Sequence, residues 1–207
     1  MKTLEFEMGQ AAFAIVHDLC KVKQGELVAI TADSSTDESL TNAIAGAVLA
    51  AGGKPLVLWY RTPGGVGKDA DKDVPYQSIG AAIGNSDVWI ELGGMWILYS
   101  SAQEIALSLN KNLRHLSLPG FEPGLANRLL NDVDFELLAA FQRKVTEMTK
   151  HAKHVKMTSP AGTDLEFDND PNCPFYCELG LADVPGTAYP SGQICWFHRE
   201  ETLHGTL

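Results

Sequence analysis

Cationic residues are scarce in this sequence. It contains 16 Lys and Arg residues against 26 Asp and Glu residues, and its formal net charge is −10. Phosphate backbones and anionic lipid surfaces are bound by clustered cations. The charge balance therefore argues against nucleic acid and charged membrane surfaces as partners.

Long apolar runs are also missing. The run at 43–53 is among the longest, and it is too short and too rich in glycine to span a bilayer. The N-terminal stretch carries Glu5, Glu7 and Asp18 among its apolar residues and is followed by no small-residue cleavage site. We therefore expect no signal peptide and no membrane partner.

Cysteine is sparse as well, with residues only at Cys20, Cys173, Cys177 and Cys195. A chain of 207 residues that is 45% hydrophobic buries enough surface to fold without disulfides. This cysteine usage, together with the absence of a recognisable signal peptide, predicts free thiols and a location in the reducing cytoplasm.

What the first part of the chain does contain, over residues 1–151, is an alternation of short apolar runs and helical stretches. The later helical stretches are predicted at about 101–109, 124–130 and 135–151. The runs are typical of strands buried on both faces, and they lie at 27–31, 55–60, 87–92 and 113–118. Strands that alternate with helices form a mostly parallel sheet covered on both faces. We predict an open, three-layer α/β domain of the flavodoxin-like or Rossmann-like class.

The remaining residues, 152–207, have a different pattern. Strand-like alternation occurs at 154–158, 165–167 and 193–197, and the rest is rich in proline and glycine. Some fifty residues of strand and turn are too few for a sizeable core of their own. Two interpretations remain: a β appendage of the first domain, or the beginning of a truncated metal-binding domain. We favour the second.

Candidate site residues follow the predicted strands, because ligands of open α/β sheets bind beyond the carboxyl ends of the strands. Asp33 and Ser34 precede a helix, and we favour helix capping over ligand binding for both. Glu91 ends the third strand, where its carboxylate suits a substrate amine or a metal-bound water. A structural pair between Glu91 and Arg61 is the interpretation we favour.

A zinc site is a further possibility in the last part of the chain. Thiolate and imidazole are zinc ligands, and the candidates are Cys173, Cys177, Cys195, His198 and His204. Their spacing matches no common zinc module, and Pro174 with two aromatic residues separates the first two thiols. The pattern favours packing over metal binding.

Several segments of the last third resemble a known superfamily. The segment 154–167, HVKMTSPAGTDLEF, is similar to the strand–turn–strand that opens the second part of the aminopeptidase T metallo-aminopeptidases and of the 2,5-dihydroxypyridine 5,6-dioxygenases. The segments 179–186 (LGLADVPG) and 189–193 (YPSGQ) resemble the dioxygenase branch. The segment 200–207, EETLHGTL, resembles a stretch after which members of the superfamily continue.

The resemblance implies a metal-dependent enzyme with a divalent cation: iron, zinc, cobalt or manganese. Its ligands in the family lie beyond the last residue of this sequence, so no residue here inherits a metal role. A histidine that follows the third strand of the dioxygenases corresponds to Tyr99, and a second one corresponds to Ala188 or Tyr189. The candidates for the substrate pocket are therefore Asp33, Arg61, Glu91, Tyr99 and Ser100.

Three functions are compatible with these observations. We place peptide or amide hydrolysis of the aminopeptidase T type slightly ahead of iron-dependent ring cleavage of the dihydroxypyridine type. A non-catalytic binding or assembly module is the third hypothesis. The expected partners are a small-molecule or short-peptide substrate and, in a homo-oligomer, further copies of the chain.

Overall fold

A computed structural model describes residues 5–170, 172–190 and 192–207 of the chain. These residues form two compact units. The first unit comprises Met1–Phe135 and Gly180–Ser191, and the second comprises Glu136–Leu179 and Gly192–Leu207. The boundaries of these units differ from those of the predicted segments 1–151 and 152–207. That the latter segment begins a metal-binding domain stays a prediction.

A five-stranded parallel sheet forms the centre of the first unit, and it confirms the predicted α/β class. Its strand order is β2-β1-β3-β4-β8, and every neighbouring pair is parallel. The strands are β1 (Leu27–Asp33), β2 (Lys54–Tyr60), β3 (Val88–Glu91), β4 (Arg114–Ser117) and β8 (Gly186–Ala188). The strands β3 and β4 are buried throughout, as their apolar runs predict.

The edge strand β8 is the part of this sheet that the sequence pattern does not predict. It has only three residues, and it pairs with β4 so that Thr187 lies opposite His115. Because so short a strand shows no periodicity, its place in the sheet comes from tertiary packing.

Helices connect the strands of the first unit. They are α1 (Glu5–Phe13), continued by a π-helical segment (Ala14–Leu19), then α2 (Glu38–Ala50), α3 (Tyr76–Gly84), α4 (Ser101–Leu109) and α5 (Pro123–Leu130), with a 3-10 helix at Gly67–Lys72. Gly80 allows α3 and α4 to pack closely, because a Cβ there would lie 2.6 Å from the Ala102 carbonyl oxygen. The predicted helix at 101–109 matches α4 in both bounds.

The prediction that Asp33 and Ser34 cap a helix is wrong. The residue that caps α2 is Asp37, whose carboxylate accepts a hydrogen bond from the Leu40 amide at 2.8 Å. Asp33 is the last residue of β1 and belongs to the turn that precedes the cap. Both carboxylates lie before the same helix, and sequence alone does not show which of them reaches a free amide.

The second unit contains one long helix and two small antiparallel sheets. All of the helix α6 (Phe135–His151) except its first residue lies in this unit. One sheet has the order β10-β6-β5, with β5 (His154–Thr158), β6 (Asp164–Asp168) and β10 (His204–Thr206). The other pairs β7 (Phe175–Glu178) with β9 (Gln193–Trp196), and a 3-10 helix covers Glu200–Thr202.

The four cysteines are free thiols. Burial raises the pKa of Cys20 to about 12, so this thiol stays protonated near neutral pH. Cys177 and Cys195 lie on paired strands but are not opposite each other, since Cys177 faces Ile194 and Cys195 faces Tyr176. No helix within the described ranges is long and apolar enough to cross a bilayer.

Candidate functional site

Polar side chains collect at the carboxyl edge of the parallel sheet. Asp33 ends β1 and Glu91 ends β3, while Ser117 ends β4. The register places Glu91 beside Thr31 on one side and beside Ser117 on the other. Parallel strands carry their carboxyl ends to the same edge, and open α/β sheets bind ligands at that edge.

Asp33 is fully buried and joins the end of β1 to the segment that follows β3. Its Oδ1 accepts hydrogen bonds from the Ser35 amide at 2.8 Å and from the Ser35 hydroxyl at 2.6 Å. Its Oδ2 accepts a longer bond from the Met95 amide at 3.3 Å. Burial alone would raise the pKa of Asp33, but these hydrogen bonds outweigh it and hold the pKa below its usual value.

The glycines that follow β3 allow this segment to pass close to buried polar groups. A Cβ at Gly93 would lie 2.8 Å from the Tyr60 hydroxyl oxygen, and one at Gly94 would lie 2.7 Å from Ser35 Oγ. Tyr60 ends β2, and its buried hydroxyl has no hydrogen-bond partner among the described residues. Burial, then the negative charges of Glu91 and Asp33, raises the pKa of Tyr60.

Glu91 is fully buried, and the pair that we favoured between it and Arg61 does not form. Oε1 of Glu91 accepts the amide hydrogens of Ile97 at 2.6 Å and Leu98 at 3.1 Å. Oε2 accepts the Ser117 hydroxyl at 2.8 Å. Arg61 is exposed, because the chain leaves the sheet after Tyr60. The Glu91 carboxylate thus binds backbone amides of the segment after β3, and not the Arg61 guanidinium that the sequence analysis favoured as its partner.

His115 is the buried neighbour of Glu91 that sequence reasoning missed. Its Nε2 lies 3.4 Å from Glu91 Oε2, and its Nδ1 lies 3.1 Å from Thr187 Oγ1. Its ring stacks on Trp89 with the ring centres 3.6 Å apart. His115 occurs inside an apolar run, and its surroundings in the sequence are those of a core strand. The register of the sheet, which pairs His115 with Trp89, is what places it near Glu91.

Tyr99 and Ser100 lie together in the chain but differ in environment. Ser100 is buried and caps α4, because its hydroxyl accepts the Ala102 amide at 3.2 Å. Tyr99 is 66% exposed and has a left-handed backbone with φ of 66°. Its amide donates to Gln103 Oε1 at 2.7 Å. Of these two pocket candidates, only Tyr99 presents its side chain to solvent.

The structure brings the hydroxyl of Tyr99 to 3.4 Å from the hydroxyl of Tyr189, which follows β8. Ala188, the other predicted counterpart of the second histidine, is buried in β8 opposite Leu116. Tyr189 is therefore the residue that meets Tyr99. The motif that begins at Tyr189 also includes Ser191, which lies outside the described residues.

A metal centre does not fit the residues that the structure describes. Within 5–170, 172–190 and 192–207, no group of three or more His, Cys, Asp and Glu side chains is arranged to hold an ion. At the sheet edge, both oxygens of Glu91 already accept hydrogen bonds. We therefore assign no metal ligand to these residues and derive no step through a metal.

These features define the class of the protein: an open parallel α/β domain with a polar site at the carboxyl edge of its sheet. Residues 9–207 match the model of one family, 2,5-dihydroxypyridine 5,6-dioxygenase (NicX). The chain belongs to this family, which confirms the predicted superfamily. No curated protein sequence matches the chain.

Two solved structures share the fold. The 2,5-dihydroxypyridine dioxygenase from Pseudomonas putida KT2440 matches with a TM-score of 0.72 at 21% identity, over 100% of this chain and 60% of that one. Wild-type AmpT from Thermus thermophilus matches with a TM-score of 0.60 at 12% identity, over 97% of this chain and 64% of that one. The chain thus spans less than two thirds of the length of either structure.

Proposed function

We propose that the protein takes part in the oxygen-dependent cleavage of a small hydroxylated nitrogen heterocycle, of which 2,5-dihydroxypyridine is the model. The observation that carries this proposal is the family match over residues 9–207. A ring-cleaving dioxygenase places both atoms of O2 in its product as one ring carbon–carbon bond breaks. The ring supplies all the electrons, so no further reductant is needed.

A dioxygenase family indicates metal-dependent chemistry, and we propose iron as the metal. The described residues do not fit such an ion. The chain spans 60% of the length of the dioxygenase structure, and we assign no ligand of the proposed iron to the described residues. In enzymes of this kind the metal carries the oxygen chemistry, while the protein binds and orients the substrate.

The described residues of this chain are suited to binding and orienting the substrate. Asp33 and Glu91 are fully buried, so they act on the substrate only through the backbone that they hold. Asp33 binds the Met95 amide, and Glu91 binds the amides of Ile97 and Leu98. Together they fix the segment 93–98 and so the position of Tyr99, whose exposed phenol is able to contact a ligand. Ser100 supports the same segment by capping α4.

Hydrolysis of the aminopeptidase T type remains the second hypothesis. Its support is the structural likeness to AmpT, and at 12% identity this likeness shows the fold alone. Because of the family match, we now rank the dioxygenase proposal ahead of hydrolysis, which the sequence analysis had ranked slightly first. The third hypothesis, a binding or assembly module, predicts bound ligand without turnover.

An oxygen-uptake assay separates the three hypotheses. The protein is purified with whatever sequence accompanies residues 1–207 in its gene, loaded anaerobically with Fe(II), and mixed with 2,5-dihydroxypyridine in an oxygen electrode. We expect one O2 consumed for each ring whose ultraviolet absorbance disappears, and no uptake by metal-free protein.

Parallel samples loaded with Zn(II), Co(II) or Mn(II) are given aminoacyl p-nitroanilides. Release of p-nitroaniline without oxygen uptake would contradict the dioxygenase proposal in favour of the aminopeptidase. If the metal-loaded protein is inactive in both assays, the result favours the third hypothesis, a non-catalytic binding or assembly module. Light scattering of the same preparation tests a further proposal, that the protein is a homo-oligomer.

A further inference from the structure

One face of the helix α6 exposes large apolar side chains. Leu137, Phe141 and Met148 are 67%, 63% and 64% exposed. The buried side of the same helix includes two polar residues, Gln142 and Thr146. Single exposed apolar residues are common on protein surfaces. Three of them on one helix face form a patch of the kind that marks an interaction surface.

The exposed side chains follow the spacing of a coiled-coil seam. Leu137, Phe141, Lys144 and Met148 are separated by four, three and four residues. At 3.6 residues per turn, all four project within about 60° of one another. Positions with this spacing are the a and d positions of a heptad, which face a partner helix. We call these four residues the α6 seam; all of them lie in the second unit.

The α6 seam is complementary to itself when two copies run antiparallel. A twofold axis at the middle of the seam brings Leu137 of one copy opposite Met148 of the other, and Phe141 opposite Lys144. The first contact buries apolar surface on both copies. The second places an ammonium group on the face of an aromatic ring, which is a favourable cation–π contact. Each contact occurs twice in the pair.

The charges at the two ends of α6 favour the same orientation. The first turn is acidic through Glu136, and the last turn is basic through Lys150 and His151. In an antiparallel pair, each acidic end lies near the basic end of the other helix, and the two helix dipoles oppose each other. A parallel pair would bring like charges together at both ends. The charge pattern therefore favours an antiparallel second copy.

Another segment of the same protein is the alternative occupant, since the chain spans 60% of the dioxygenase structure that it resembles. A segment of different sequence needs no match between the two halves of the seam. A second copy does need one, because the same surface serves both sides of a twofold interface. The facing of Phe141 and Lys144, together with the opposite charges at the helix ends, supplies that match.

We propose that the α6 seam is the docking surface for a second copy of this chain, which binds as an antiparallel helix pair about a twofold axis. The docking surface does not depend on the reaction proposed for the protein. It assigns a place to the contact in the proposed homo-oligomer. A pair of seams is small beside the roughly 1,600 Å² of a standard interface. We therefore expect a dimer that dissociates on dilution.

Sedimentation of the protein prepared for the oxygen-uptake assay, from about 1 to 100 μM, measures this association. The dimer fraction should rise with concentration. Phe141→Gln and Met148→Gln should each raise the dissociation constant at least about tenfold, since each substitution occurs twice in the pair. Met157→Gln is the matched control, because Met157 is 48% exposed and lies on β5 of the same unit. It should leave the dissociation constant unchanged.

Cysteine variants test the antiparallel register. In the proposed pair Leu137 lies opposite Met148, whereas two copies of either residue are at least about 16 Å apart along the helices. A disulfide needs Cα atoms within about 7 Å. Under mild oxidation, Leu137→Cys and Met148→Cys should therefore not link when each is alone, and their equimolar mixture should form a mixed disulfide. Peptide mass spectrometry separates this link from any through the four native thiols.

The proposal is overturned if the protein is monomeric at about 100 μM, or if wild type and both glutamine variants at the seam share one dissociation constant. Absence of the mixed disulfide overturns it as well. A monomer whose melting temperature falls in both seam variants, and not in Met157→Gln, would assign the seam to another segment of the same protein and contradict the proposal. None of these results depends on oxygen uptake, so a failure of the docking surface and a failure of the dioxygenase proposal are distinguishable.

Discussion

The two units of this protein rely on different kinds of burial. The first unit has a large apolar core, with Ile30, Trp89 and Leu116 among its fully buried side chains. In the second unit, Ala139 and Phe167 are the only buried apolar residues within the described ranges, whereas Gln142, Thr146 and Asn169 are buried polar ones. Apolar periodicity therefore specifies the first unit, whereas the second contains a buried amide, Asn169, that makes three side-chain hydrogen bonds.

The largest effect is expected from a buried charge in the first unit. Arg114 is 7% exposed, and its guanidinium donates to the Cys20 carbonyl and pairs with Glu26. Arg114→Met leaves the half-buried Glu26 without this partner, and we expect a loss at the lower end of the about 3–5 kcal/mol that breaking a fully buried pair costs. The free energy of unfolding in urea, followed by tryptophan fluorescence, measures the loss.

Lys21→Met is the matched control in the same unit. Lys21 pairs with Asp183 at 3.5 Å, but both side chains are substantially exposed. An exposed pair contributes about 0–1 kcal/mol, so the control should unfold close to wild type. Equal losses of unfolding free energy for Arg114→Met and Lys21→Met would show that burial does not determine how much an ion pair stabilises the first unit.

The second unit should respond most to its buried amide. The Asn169 side chain donates to the Thr149 and Ala152 carbonyls at 2.8 and 2.9 Å, and accepts the Trp196 indole N–H at 3.0 Å. Asn169→Ala removes all three bonds and should cost about 1–3 kcal/mol. Asn172→Ala, which changes an exposed residue bonded to Asp170, is the control. Protection of the α6 and β9 amides from hydrogen exchange measures both.

This contrast explains how much of the fold the sequence predicts. The strand at 154–158 and the helices at 101–109 and 135–151 match the structure in both bounds, and the four apolar runs each overlap a strand of the sheet. The strand β8 is missed because three residues carry no period. The role of Asn169 is missed because a single amide has no pattern in sequence; its partners are 17–27 residues away.

The site is less predictable than the fold for a related reason. The rule that ligands bind at the carboxyl ends of strands places Asp33, Glu91 and Tyr99 at the correct edge. It does not show that Glu91 binds backbone amides instead of Arg61, because the conformation of residues 93–98 is set by the glycines and by Asp33. Tyr60 and His115 were missed because each lies within an apolar strand pattern.

A smaller effect is expected at the cap of α2. Asp37→Ala removes the acceptor of the Leu40 amide and should destabilise the first unit by about 1 kcal/mol. Ser34→Ala is the control, since Ser34 is bonded to Thr62 and not to the helix. Thermal unfolding of both variants gives the difference. A larger loss of stability for Ser34→Ala than for Asp37→Ala would contradict the assignment of Asp37 as the cap of α2.

The smallest effect concerns acid. Because the pKa of Asp33 is lowered in the folded state, its carboxylate contributes stability above its unfolded pKa of about 3.9 and loses it as pH falls through the folded value. Wild type should therefore exceed Asp33→Asn in stability at neutral pH, and the gap should narrow below about pH 4. A gap that stays constant down to pH 2 in urea titrations would contradict this.

The central claim is that the carboxyl edge of the parallel sheet receives a ring ligand. Chemical-shift mapping with 15N-labelled protein and 3-hydroxypyridine tests it most directly. We predict that the largest shifts fall on the amides of 93–100 and of 187–189, with smaller ones near Asp33. Shifts confined to the second unit, or absent from both segments at saturation, would contradict the account.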